Sequence, residues 1–173
     1  AEGCGVLILR RMSQVLADAG PVWGVIRSSV INNNGYHASL TAPSVMAQKQ
    51  LLREACVQAG LQPGDIQYVE AHGTGTAMGD PIEVSAISAA YCQGIEREQP
   101  LLIGSVKTNI GHCEAAAGMA GLIKVLLAMR HGQIPAHLNY QTSNPVIDWK
   151  KLGLQLVTQT RSWEAVDRVA GVS

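Results

Sequence analysis

The chain has 173 residues, 47% of them hydrophobic and 15% charged, with a formal net charge of zero. That length builds one domain with a real core, and the charge balance speaks against the basic patch that nucleic-acid or anionic-membrane binding needs. Four cysteines at positions 4, 56, 92 and 113 form no C-x-x-C pair, which argues against a disulfide framework or zinc knuckle and for reduced thiols in a cytoplasmic protein.

The elements alternate between strand and helix. Gly5 to Arg11 is a short apolar run that predicts a strand, and Trp23 to Val30 predicts a second, with Val25, Ile26 and Val30 as its apolar members. Asn32-Asn33-Asn34-Gly35 is a turn signal. A helix is predicted from about Pro43 to Ala59, with Thr41 as its cap and Gly60 just past its end. Ile66 to Ala71 reads as a strand leading into His72, and Pro81 to about Tyr91 as a helix capped by Asp80.

The second half repeats the pattern. Leu101 to Val106 predicts a strand that opens into Lys107 and His112. A helix follows from about Glu114 to His131, in which Met119, Leu122, Ile123, Leu126 and Leu127 fall at helical spacing. With Ala115 to Ala117, Gly118 and Gly121, it has little polar surface and is expected to be buried on most sides. Its apolar core, Ala115 to Met129, is too short to span a bilayer and contains Lys124, so no membrane partner is expected. Gly153 to Thr160 and Val169 onward predict two final strands. Both ends fall inside β-like runs, so the chain reads as part of a larger polypeptide.

Two segments carry the chemistry. Val69-Glu70-Ala71-His72-Gly73-Thr74-Gly75-Thr76 and Lys107-Thr108-Asn109-Ile110-Gly111-His112 each place a histidine beside glycine at the end of a predicted strand. Strand ends in α/β proteins are where ligands collect. Two imidazoles with a nearby lysine can aim N–H donors at one carbonyl oxygen and stabilise an oxyanion or enolate. The plainer reading of His72 is a turn whose threonine hydroxyls satisfy backbone groups; for His112 it is a helix-entry imidazole filling a polar notch. Gly73, Gly75 and Gly79 do not match the dinucleotide fingerprint, and Gly104 to Thr108 lacks the P-loop spacing. A helix N-terminus disfavours protonated imidazole, so His112 is read as a neutral donor. Cys113 beside His112 offers a nucleophile pair, but adjacent helical residues do not face each other. Cys4, Cys56 and Cys92 read as structural, and His37, His131 and His137 have no metal-ligand spacing.

These residues resemble a known family. Glu70 to Thr76 with Gly79-Asp80-Pro81-Ile82-Glu83 is similar to the first histidine motif of β-ketoacyl synthases. Gly104 to His112 with Glu114-Ala115-Ala116-Ala117-Gly118 is similar to the second, and Asn144 to Trp149 to a run near the family's end. The ketosynthase domain of modular type I polyketide synthases is the best match. The resemblance implies a thiolase-like layered α-β-α-β-α fold, of which residues 1–34 are the tail of the first half, 35–150 the second half with both histidine motifs, and 151–173 the final, truncated strands. It implies decarboxylative Claisen condensation of an acyl thioester with a malonyl-type extender on acyl carrier protein. His72 and His112 would then donate hydrogen bonds to the extender's thioester carbonyl, and Lys107 would orient His112. Thr74 and Thr76 would bind the phosphopantetheine arm, with Glu114 supporting the Lys107 and His112 region.

The resemblance also implies no directly bound cofactor, since phosphopantetheine is carried by the acyl carrier protein. The implied partners are that carrier, the missing ketosynthase half, a second copy in a homodimer, and neighbouring domains such as an acyltransferase. The family's nucleophilic cysteine stands in an Ala-Cys-Ser context that none of the four cysteines shares, so the nucleophile is expected on sequence outside this chain. Two other readings stay open here: a non-catalytic structural or dimerisation half, and a malonyl-thioester decarboxylase.

Overall fold

A computed structural model describes residues 1–34 and 43–173. Gly35 of the turn signal, His37 and the proposed cap Thr41 lie outside the described residues.

The centre is a parallel sheet of four strands, β1 (Tyr68–Glu70), β2 (Leu101–Gly104), β4 (Leu154–Leu156) and β6 (Ala170–Val172), in the order β4-β2-β1-β6. Parallel strands are covered on both faces, and the side chains divide accordingly. Val69, Leu101 and Ile103 pack with Val84, Ile87 and Tyr91 of helix α3 (Gly79–Tyr91) and with Leu52 and Cys56 of helix α2 (Val45–Ala59). Tyr68 and Leu102 point the other way, toward Val125 and Ala128 of helix α5 (Ala117–His131). The strands expected within Gly153 to Thr160 and after Val169 form in shortened versions, and residues 154–172 supply two strands of the same sheet.

Several expectations need correction. Neither Gly5 to Arg11 nor Trp23 to Val30 is a strand. A strand needs a ladder partner, and neither run finds one among the described residues; Val6 and Ile8 are 81% and 90% exposed. A short helix, α1 (Met12–Asp18), follows the first run. The second is tied to α2 by side chains: Arg27 donates to Ala59 O at 2.9 Å and Ser28 to Ala55 O at 2.8 Å. Cys4, expected at a strand start, is exposed, and all four thiols are free. Ser44 caps α2 by accepting the Ala47 N–H, while Gly60 ends it in the left-handed conformation as expected. Asp80 does not cap α3; its carboxylate accepts the Gly75 N–H from the preceding loop.

Helix α5 starts later than predicted, after a 3-10 turn over Glu114–Ala116. Only the stripe Ala117, Gly121, Val125 and Ala128 is buried, because a single face meets the sheet. Its far side borders a cavity of about 630 Å³ lined by residues that include Cys4, Gly5, Cys113, Ala120 and Ile123. Four short elements have no strong sequence signal: helix α4 (Lys107–Ile110), helix α6 (Trp149–Leu152), and the antiparallel pair β3 (Gln133–Ile134) and β5 (Arg161–Ser162). Among the described residues no helix is long and apolar enough to cross a membrane.

Candidate active site

Strands β1 and β2 are parallel neighbours, so their C-terminal ends open on one edge of the sheet. The register pairs Glu70 with Gly104, and the Ala71 N–H continues the ladder to Gly104 O at 2.8 Å. The two histidine segments leave from this edge. The rings of His72 and His112 meet edge-to-face, with centroids 5.4 Å apart and planes at 85°.

Each histidine is placed by its backbone surroundings. The His72 and Gly73 N–H groups both donate to the carboxylate of Glu83 on α3, at 2.7 and 2.9 Å. Glu83 is buried, so this fork fixes the turn that aims His72. Gly73 has φ of +48°, and a Cβ there would lie 2.8 Å from Ser105 Cβ; glycine is required on both counts. Burial first, then the Lys107 ammonium, lowers the pKa of His72; Glu83 opposes this in part and the His112 ring adds to it. His72 is therefore neutral near pH 7.

His112 follows Gly111, whose φ is +77°. The Glu114 N–H donates to His112 Nδ1 at 2.9 Å. With Nδ1 accepting, the proton of the neutral ring sits on Nε2, which is left as a donor. This hydrogen bond sets the tautomer; the helix start expected directly after His112 lies further along, with α5 beginning only at Ala117.

The other predicted residues differ in how they relate to this pair. Lys107 opens α4, and its ammonium has no hydrogen-bond or ion-pair partner among the described residues; its field acts on His72. The structure gives it no hydrogen bond to His112. Glu114 supports His112 through its main chain, with its exposed carboxylate unpaired among the described residues. Thr76 Oγ1 accepts the Gly79 N–H at 3.0 Å, as the plainer reading anticipated, whereas the half-buried Thr74 hydroxyl has no partner among the described residues. Cys113 is buried, its sulfur 3.9 Å from Gly111 O, and it forms no pair with His112.

Sequence reasoning assigned no role to three further groups. Glu83 is the acceptor behind His72; a glutamate one turn into a helix after a His-Gly turn is the available signal. His137 Nδ1 accepts the Ser105 N–H at 3.2 Å and thereby braces the start of the Lys107 segment. Glu70, Tyr68 and Lys124 form a buried polar cluster beneath both turns.

A β-ketoacyl synthase C-terminal domain model matches residues 23–141. The chain belongs to the β-ketoacyl synthase family. This ketosynthase segment is 48% identical over its whole length to erythronolide synthase EryA3 of Saccharopolyspora erythraea, of which it covers 6%. It is 45% identical, again over its whole length, to polyketide synthase GfsB of Streptomyces halstedii, covering 3% of that protein. Among solved structures, the oxazolomycin ketosynthase domain OzmH KS7 of Streptomyces albus JA3453 superposes with a TM-score of 0.90 at 39% identity. The ketosynthase from module 6 of the bacillaene synthase of Bacillus subtilis 168 gives 0.89 at 41%. Each match covers 95% of this chain but only 29% and 30% of those domains. The fold is thus the thiolase-like α/β fold of ketosynthases, and the segment spans less than a third of the solved domains it matches.

Proposed function

We propose that this segment supplies the decarboxylating half of a ketosynthase site in polyketide chain elongation, with residues 1–34 closing the first half of the thiolase-like fold and residues 35–173 forming most of the second. The observation that carries this reading is the edge-to-face approach of His72 and His112, one held neutral by burial and the Lys107 ammonium, the other with Nδ1 occupied so that Nε2 donates.

In this reading the malonyl-type thioester places its carbonyl oxygen between the two imidazoles. The bond from the α-carbon to the carboxylate breaks, its electron pair enters the enolate, and carbon dioxide leaves. Preorganised donors at such an oxygen contribute about 3–4 kcal/mol each in comparable sites. The enolate carbon then attacks the acyl thioester held on a cysteine thiol outside residues 1–173. A carbon–carbon bond forms, the carbon–sulfur bond breaks, and the thiolate leaves. Lys107 disfavours protonation of His72 and favours the carboxylate's approach.

The carried phosphopantetheine arm is matched by the open Thr74 hydroxyl beside His72, and by the Thr76 hydroxyl, which accepts from Gly79 and keeps its proton to donate. The proposed partners are the acyl carrier protein, the remainder of the ketosynthase, a second copy, and neighbouring acyltransferase-type domains, in the cytoplasm. The test is incubation of the full synthase module with malonyl-carrier protein and an acyl donor. Carbon dioxide release coupled to two-carbon extension supports the proposal. Carbon dioxide without extension supports a decarboxylase, and a folded protein with no turnover supports a structural role; either overturns it.

A further inference from the structure

Beneath the two histidine turns lies a polar cluster that the chemistry above does not use. Glu70, the last residue of β1, is 2% exposed. Its Oε2 accepts from Lys124 Nζ of α5 and from Tyr68 Oη, both at 2.6 Å, and Lys124 also donates to Tyr68 Oη at 2.8 Å. Burial, then the Glu70 carboxylate, pushes the Tyr68 hydroxyl far above its usual range, so it remains a donor. The other carboxylate oxygen, Oε1, accepts the N–H of Val106.

Val106 immediately precedes Lys107. One carboxylate therefore joins three pieces: the strand that ends in His72, the turn that carries Lys107 to His112, and the helix that follows His112. Room for it is made by two glycines. A Cβ at Gly104 would lie 2.8 Å from Tyr68 Oη, and one at Gly121 would lie 3.1 Å from Glu70 Cγ.

Stability alone does not account for such a cluster. Well-packed apolar residues of similar volume often replace a buried ion pair at no cost or with a gain. What apolar residues cannot do is accept the Val106 N–H and so fix the height of the turn relative to β1. Small displacements of donors matter, since misplacement by about 1 Å can cost on the order of a hundredfold in rate.

We infer that Glu70, with Lys124 and Tyr68 as its fixed donors, is a positioning residue that holds the Lys107–His112 turn at the distance from β1 at which the His72 and His112 donors converge. This rests on the condensing-enzyme reading above.

The test uses the full synthase module. Glu70→Leu with Lys124→Met removes the charge pair and the acceptor together; Glu70→Gln with Lys124→Met removes the charges but keeps an acceptor oxygen. Decarboxylation of malonyl-carrier protein and acylation of the cysteine are measured separately. The Leu/Met pair is expected to lose roughly tenfold to a hundredfold in kcat for decarboxylation, with KM and acylation within about twofold, and the Gln/Met pair to recover most of that loss. Tyr68→Phe keeps the ring against Trp163 and removes one donor to Glu70; it provides a milder variant should the Leu/Met pair not fold, with a several-fold fall in kcat expected. Folded variants that decarboxylate at the parental rate, or that lose both steps in parallel, overturn the inference. A parental module that releases no carbon dioxide overturns the functional reading instead.

Discussion

Glu83 accepts the backbone N–H groups of both His72 and Gly73, at 2.7 and 2.9 Å, from the first turns of α3. A buried carboxylate thus determines the direction of the chain at the end of β1, and with it the direction of the His72 ring. The same logic recurs at the second turn, where Glu70 and His137 accept from Val106 and Ser105.

Removing Glu83 leaves two N–H donors without an acceptor. Glu83→Ala is expected to destabilise the ketosynthase domain that contains this chain by about 2–4 kcal/mol, and Glu83→Gln by roughly half as much because one acceptor remains. Denaturant unfolding with the two variants in parallel measures this. Equal, negligible shifts would show that the fork does not hold the turn.

Gly73 is a point of close approach between the two segments. Gly73→Ala combines a left-handed backbone with a Cβ pressed on Ser105, at a cost of about 1–3 kcal/mol. The strain is relieved by moving the His72 turn. Decarboxylation is therefore expected to fall more than acyl loading, and a variant with parental rates in both steps would contradict the close approach.

The pH dependence has a definite sign. Imidazole titrates near 6.5 in an unfolded chain. In the fold, burial first and then Lys107 lower His72, and burial first and then Lys124 lower His137. Their contribution to stability is complete above about 6.5 and is lost as pH falls through that value toward the lowered ones, because the unfolded chain then binds protons that the fold excludes. Protonation of His137 at Nδ1 also breaks its hydrogen bond from Ser105. His137→Asn, which can offer an amide oxygen there, is expected to flatten the decline in melting temperature between about pH 7 and pH 5. An unchanged slope would remove His137 from the account.

Much of the site was legible because it follows local rules. One β-run leading into His72-Gly73 and a second leading through Lys107 to Gly111-His112, in an alternating α/β chain, place both imidazoles at one sheet edge once the strands are parallel neighbours. The helix end at Gly60 and the late strands at 154–156 and 170–172 also follow from pattern. The residues that position the site were harder to read. Glu83, Glu70 and Lys124 look like ordinary charges on a helix or strand until tertiary packing buries them. His137 acts through a backbone amide distant in sequence, which no motif records. The two N-terminal runs have β-like composition, yet β-propensity expresses packing on a pleated neighbour, and no described strand lies beside them. Helix α5 looked buried on most sides because Ala and Gly carry no polar signal; one stripe meets the sheet, while Ala120, Ile123 and Leu127 border a cavity.

The most direct measurement is the effect of His112→Ala on two steps of the full module, carbon dioxide release from malonyl-carrier protein and acylation of the cysteine. Loss of one preorganised donor is expected to slow release on the order of a hundredfold to a thousandfold while acylation stays within about threefold. Equal losses in the two steps, or carbon dioxide release at the parental rate, would contradict the convergence of His72 and His112 on one developing oxyanion.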